Sequence, residues 1–204
     1  MRPRHLLTAT CLVAALALTG CAAEATPTPS AVSTPTATPT VAAPAEARPF
    51  VQPVTCATAL PADTVATIEQ KGLVLLGGPE GRYGTEYAAD PSPEETAGGV
   101  TCIWGFADTE VSSITVSVAP LPAAARAEVV ESLTEQGLNE GLDGDATVFW
   151  QEGDEDFQPA IYTALRADSW ISVIETVGGP EAYDEAVGIA ADAYEATHPA
   201  PPVG

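Results

Sequence analysis

Two histidines, four cysteines, one lysine and 28 acidic residues carry the chemistry of this chain, and their spacing decides which reactions they could serve. His5 lies among the first residues, and His198 stands where a helical pattern meets a proline-rich tail. A Ser-His-Asp relay built on His198 would depend on a fraying terminus, so that residue reads as a cation at a helix end. No Gly-x-Ser-x-Gly, Ser-x-x-Lys or His-Glu-x-x-His pattern occurs. Zinc would lack ligands. The glycine-rich stretch from Gly77 to Gly84 matches neither the phosphate-cradling nor the dinucleotide pattern. Asp143, Asp145, Glu152, Asp154, Glu155 and Asp156 gather around one strand without the spacing of a calcium loop, and read as a solvated acidic surface. Paired carboxylates serve glycoside hydrolysis, but among so many acids no pair is singled out. No catalytic residue, metal or cofactor is therefore expected.

The cysteines are more specific. Arg2 and Arg4 precede an apolar run over 6–18, interrupted by Thr8 and Thr10, which has the form of a secretory signal and is too short for a permanent membrane span. Leu18-Thr19-Gly20-Cys21 then matches the lipobox of bacterial prolipoproteins, where small residues admit the signal peptidase and the thiol takes a diacylglycerol. The expectation is a signal over 1–20, lipid on Cys21, and a protein anchored to the outer face of the cell membrane through its acyl chains. Residues 22–53 alternate Thr-Pro with Ala, Val and Ser, a composition that cannot build a core. In polyproline II form, at about 3.1 Å per residue, this linker would reach roughly 100 Å from the lipid. Its threonines are candidate O-glycosylation sites.

Cys56 and Cys102 remain for the folded part, and in an oxidising compartment they should be bonded to each other. Such a closure stabilises by about 4 kcal/mol in the chain-entropy account. Once the signal has left, five basic residues face 28 acidic ones, a net charge of −23. That excludes nucleic acid as a partner, which requires clustered Lys and Arg, and repels anionic lipid heads, so membrane contact ends at the anchor.

The elements that must position these residues span 54–198, with a tail over 199–204. A short helix opened by Leu60-Pro61 ends at Gly72, a strand follows over 73–76, and a loop runs from 77 to 99. Strands are expected over 100–107 and 111–119 with a turn between them, then a helix over 122–136, then strands over 147–151, 160–166 and 170–176. Gly178-Gly179-Pro180 opens a last helix with Tyr183, Val187, Ala190 and Tyr194 inward. Leu60-Pro61-Ala62 leading to Glu69-Gln70-Lys71-Gly72-Leu73 is echoed by Leu121-Pro122-Ala123 leading to Glu135-Gln136-Gly137-Leu138, which is either a duplication or chance in an alanine-rich chain. The fold class is α+β: an antiparallel sheet with helices packed on one face, arranged as two helix-plus-strands halves if the echo is real, and closed by a C-terminal helix.

Two features favour binding. The 77–99 loop is long and carries Arg82, Tyr83 and Tyr87, basic and aromatic types favoured in binding sites. The strands over 160–166 and 170–176 are apolar on both parities, so something covers both sides. Cys56-Ala57-Thr58-Ala59-Leu60 before a short helix, followed by Cys102-Ile103-Trp104 in a strand, resembles the small uncharacterised lipoproteins of actinobacteria. That resemblance implies a ligand-binding or sensory envelope domain and carries no catalytic residue onto this chain. The expected function is non-catalytic binding of a ligand or protein partner in the envelope. The alternatives are a carboxylate-dependent hydrolase of wall or surface polymers and a passive structural lipoprotein.

Overall fold

The computed structural model describes residues 48–156 and 158–201. The signal, Cys21, most of the linker and the last three residues of the tail lie outside the described residues. Seven strands form one antiparallel sheet in the order β1-β2-β3-β7-β6-β5-β4. The strands are β1 (Leu73–Gly77), β2 (Val100–Phe106), β3 (Val111–Pro120), β4 (Asn139–Asp143), β5 (Ala146–Gln151), β6 (Ala160–Leu165) and β7 (Ser169–Glu175). Two meanders run inward from the edges and meet where β3 pairs with β7, Val116 opposite Val173. Helices are α1 (Cys56–Ala59), α2 (Ala62–Gln70), α3 (Pro93–Thr96), α4 (Arg126–Glu135) and α5 (Pro180–Thr197). The α+β class, the antiparallel sheet and the closing helix are as the sequence reads. None of the helices among the described residues is long and apolar enough to cross a membrane.

Strand alternation builds two cores, because successive side chains point to opposite faces. On the first face Cys102, Trp104, Val116, Tyr162 and Val173 pack under Ile68 of α2 and the stripe Ala186, Ile189, Ala190 and Ala193 of α5. On the second face Ala119, Phe149, Leu165 and Trp170 pack under Leu133 of α4, flanked by Val129 and Val130. The helices thus divide between the two faces, a finer arrangement than packing on one. This division explains why β6 and β7 are apolar on both parities: each parity has its own helix.

The inward stripe of α5 lies one residue around from the one read in the sequence. Alanines occupy its centre because a helix packed tightly on a sheet admits only small groups there. Tyr183, Val187 and Tyr194 flank it, half-buried. The strand β4 was missed, since its burial alternation is absent: it is an edge strand, and Leu142 is 82% exposed. Cys56 begins a helix of its own, α1, instead of preceding one. The α3 helix interrupts the long loop, capped by Ser92, whose hydroxyl accepts from Glu95 N at 3.1 Å while the Glu95 carboxylate returns to Ser92 N at 2.9 Å. The helix expected over 122–136 starts at Arg126, after a turn.

The sequence echo has a local meaning. Gly72 and Gly137 stand at positive φ, 81° and 76°, and each ends a helix before an edge strand, a conformation that glycine adopts at no steric cost. The disulfide is present: Cys56 and Cys102 are bonded with a Cα separation of 5.6 Å, inside the ordinary range, and join α1 to β2 beneath the first face.

Residues 48–53, read as the end of the linker, are tied to the domain. Val51 N donates to Thr197 O at 2.7 Å, Phe50 N donates to Asp168 Oδ2 at 3.1 Å, and Arg48 makes a two-pronged pair with Glu195, both contacts at 2.6 Å.

Candidate functional site

At the carboxyl end of β7 the chain turns through Gly178 and Gly179 into α5. The loop between β5 and β6 grips this turn: Gly179 N donates to Glu152 O at 2.8 Å and Gly178 N to Asp154 O at 3.1 Å. A side chain at 178 would stand 2.1 Å from Gln158 O, so only glycine allows the approach. Pro180 takes the first helical position, where its missing N–H costs nothing. Between the loop and the first turns of α5 lies a cleft of about 650 Å³, lined by Glu155, Glu175, Glu181 and Glu185 with Val177 and Ala182.

Glu175 is the unusual member. It is the last residue of β7, on the parity that faces α5, and only 6% exposed. Its Oε1 has no hydrogen-bond partner among the described residues. Burial, reinforced by the nearby charge of Glu185 and opposed by Lys71, pushes its carboxyl up to about 7. Both oxygens of Glu185 are met by the ammonium of Lys71, at the end of α2. A second groove of about 340 Å³ shares Glu185 and continues between α2 and α5, lined by Asp63, Thr64, Gly188 and Asp192 among others. Thr64 donates to Asp192 Oδ2 there at 2.6 Å.

The second sheet face buries another acid in a different manner. Thr101, Ser117, Ser172 and Thr163 form one register row across β2, β3, β7 and β6. Their hydroxyls bond in pairs at 2.9 Å (Thr101 to Ser117) and 2.8 Å (Thr163 to Ser172), and Ser92 extends the row to Thr101 at 2.7 Å. Glu94 of α3, 6% exposed, faces this row. Burial raises its carboxyl, while the Ser92 and Ser172 side chains favour the ionised form.

The loop residues expected to bind are placed against the turn between β2 and β3. Tyr83 donates to Glu110 Oε1 at 2.5 Å, which raises its hydroxyl, and Tyr87 donates to the Glu110 carbonyl. The two rings stack at 5.9 Å and the Arg82 guanidinium lies 5.3 Å from the Tyr83 ring centre. Tyr87 also packs against Gly77. The structure brings these three residues together on the surface, but both hydroxyls are engaged within the chain.

The acidic run does not act as one cluster. Asp143 accepts from the Tyr162 hydroxyl at 2.7 Å, and burial and that bond together raise Tyr162. Asp145 pairs with Arg166 at 3.3 Å. Asp154 Oδ1 accepts from the backbone of Asp156 and Gln158 at 3.0 and 3.3 Å. Glu155 alone of the run reaches the cleft. Among the described residues no group of three or more His, Cys, Asp or Glu side chains converges closely enough to ligate one metal ion.

His198 does not lie in a fraying terminus. It is 1% exposed, stacked on Tyr194 at 4.1 Å with Phe50 at 5.5 Å. Its Nδ1 meets Thr197 Oγ1 at 3.2 Å and Tyr194 O at 3.1 Å; its Nε2 meets Asp168 Oδ1 at 3.3 Å and Ser169 Oγ at 3.4 Å. The terminus is fixed because residues 48–51 pass over it. Serine and aspartate share one ring nitrogen, whereas a relay needs them on opposite nitrogens, and Ser169 is fully buried. The cluster closes the end of α5 and cannot relay a proton to a bound substrate.

Fold and cleft define a small antiparallel α+β domain with an acidic cleft at the start of its closing helix. No family model, no curated protein and no solved structure matches this chain.

Sequence reading missed Glu175, Glu185 and Lys71 as a group. One signal was available: Glu175 falls on the same strand parity as Ile171 and Val173, so a strand over 170–176 with one core face places a carboxylate under the last helix.

Proposed function

We propose that the protein is a lipid-anchored, extracytoplasmic binding domain, held out on its linker, whose ligand occupies the cleft at the start of α5. The observation that carries this reading is the open cleft of about 650 Å³ walled by Glu155, Glu175, Glu181 and Glu185, in which burial raises the Glu175 carboxyl. Clefts with a few convergent polar groups and a perturbed carboxyl are the ordinary form of a binding site. Lipid on Cys21 and export by the N-terminal signal belong to the same proposal: Cys21→Ala should release the protein from the membrane fraction. The site is tested by capture from the native envelope with the full chain: Ala182→Trp, which fills the cleft, should abolish recovery of a partner that the unaltered protein retains. Retention by the Trp variant would place the site elsewhere, with the Arg82, Tyr83 and Tyr87 surface next in line.

A second reading has one observation in its favour. Glu175 lies near neutrality in the same cleft as Glu185, which Lys71 keeps paired, and two carboxyls in different environments suit an acid and a base. Turnover of wall glycans that disappears in Glu175→Gln, in a protein of unchanged melting temperature, would make it a hydrolase.

A further inference from the structure

We infer that a second cleft, between α1, α2 and β1, is a binding site for a small organic cation: an apolar body of ring size that carries one ammonium group. It lies on the other side of α2 from the groove shared with α5, and the inference does not rest on the cleft at the start of α5.

Three observations lead to it. First, this cleft is apolar where it is open. It holds about 290 Å³, with Ala57, Ala62, Val65 and Leu75 as walls over Trp104. Ala57 and Ala62 are exposed, and Val65 and Leu75 are only partly covered by the core against which they pack. Water in the cleft therefore wets apolar carbon, and an apolar ligand body displaces it with gain. The volume is the share of about ten waters, which sets the body at about ten non-hydrogen atoms.

Second, the only charged groups on these walls are two carboxylates, Glu69 and Glu80. Both residues are exposed, and neither side chain has a hydrogen bond or ion pair among the described residues. A ligand group meets them without entering the core. Lys71, two residues beyond Glu69, is held by Glu185 and does not neutralise them. They repel an anion and gain nothing from an uncharged body, whereas an ammonium at the edge of an apolar body answers both features of the cleft.

Third, the site is held in shape, and one of its acids is held at a cost. The disulfide joins Cys56, in the α1 wall, to Cys102 of β2. Gly78 presses against that junction: a side chain there would stand 2.2 Å from Thr101 O and 3.0 Å from Cys56 Sγ. From this fixed point the chain turns tightly, Gly81 N donating to Gly78 O at 3.0 Å, and Glu80 takes a φ of 68° inside the turn. Glycine adopts that left-handed conformation freely and glutamate does not. The turn thus carries a carboxylate where glycine would be unstrained, and that carboxylate lines the cleft. Strain of this kind is retained where the side chain is used.

The test is calorimetric titration of the full chain, in neutral detergent at low salt, with phenethylamine, phenethyl alcohol and ethylamine. Phenethylamine should bind roughly tenfold more tightly than the alcohol, which lacks the charge, and than ethylamine, which lacks the ring. Ala62→Trp fills the cleft from an exposed position at the start of α2 and should bring phenethylamine down to the ethylamine level. Ala57→Trp fills it from α1 and should act alike. Glu80→Asn removes the charge and keeps a residue that tolerates the left-handed turn. It should weaken phenethylamine about threefold, leave the alcohol as it was, and not lower the melting temperature. Equal affinity for phenethylamine and either of the other probes, in a cooperatively folded protein, overturns the inference, as does unchanged phenethylamine binding in both Trp variants. Binding lost in Ala182→Trp and kept in Ala62→Trp would move the cation to the cleft at the start of α5, and also overturns it.

Discussion

The same two elements, β7 and α5, end in two very different ways. At one end Ser169 opens β7 and His198 follows α5, and there both nitrogens of the buried ring have partners, the rings of Phe50 and Tyr194 cover it, and Arg48 closes over Glu195. At the other end Glu175 closes β7 and Pro180 opens α5, and there a buried carboxyl oxygen has no partner among the described residues, beside an open cleft. Both ends bury a titratable group beside hydrogen-bonding neighbours, so burial alone does not distinguish structure from function. What differs is whether the described residues supply the partners. Glu94 makes the same point on the opposite face: it is as buried as Glu175, but the hydroxyls of Ser92 and Ser172 face it.

The comparison can be broken in four ways. The largest effect should come from the bond that holds the first face common to both ends: reducing Cys56–Cys102, or replacing both by Ala, should lower stability by about 4 kcal/mol in denaturant titrations. At the closed end, His198→Ala removes a packed ring and leaves its partners unmet, and should lose about 2–4 kcal/mol. Deleting residues from 198 onward should act alike. A loss below 0.5 kcal/mol would mean that this end is no better matched than the other. At the open end the sign reverses. The Glu175 carboxyl titrates higher in the folded protein than in the unfolded chain, so the native state holds its proton more tightly. That contribution is complete below pH 4.5 and is lost as the pH rises through about 7. Glu175→Gln should match the unaltered protein at pH 4.5 and exceed it at pH 8 by on the order of 1–3 kcal/mol. Smallest of all, Arg48→Ala should lower the melting temperature only slightly, since its pair with Glu195 is exposed and screened by salt.

How much of this was legible follows from what each residue contributes to pattern. Strand β3 announces itself by alternation, Ile114, Val116 and Val118 against Ser113, Thr115 and Ser117, whereas β2, β6 and β7, buried on both faces, read as apolar runs bounded by turns. The edge strand β4 buries almost nothing, so Asn139–Asp143 carries no alternation to read. The cap of α3 was legible as Ser92-Pro93-Glu94-Glu95, a serine followed three residues later by glutamate, and was passed over inside a loop. The disulfide followed from the cysteine count and the compartment that the sequence leads one to expect. His198 was misread because a position near the C-terminus says nothing about which segment lies over it; Phe50 and Asp168 come from 148 and 30 residues away. The cleft was legible least. Glu175, Glu185 and Lys71 belong to β7, α5 and α2, and only sheet order and helix packing bring them together. Among 28 acidic residues a single desolvated one has no compositional mark.

The central claim is that Glu175 is a buried carboxyl beside an open cleft, without a hydrogen-bond partner at Oε1 among the described residues and raised well above the ordinary carboxylate range. The most direct measurement is the titration of its side-chain carbon by NMR in the full chain, assigned by comparison with Glu175→Gln. The account predicts a midpoint near 7. A midpoint at the ordinary 4.5 would contradict it.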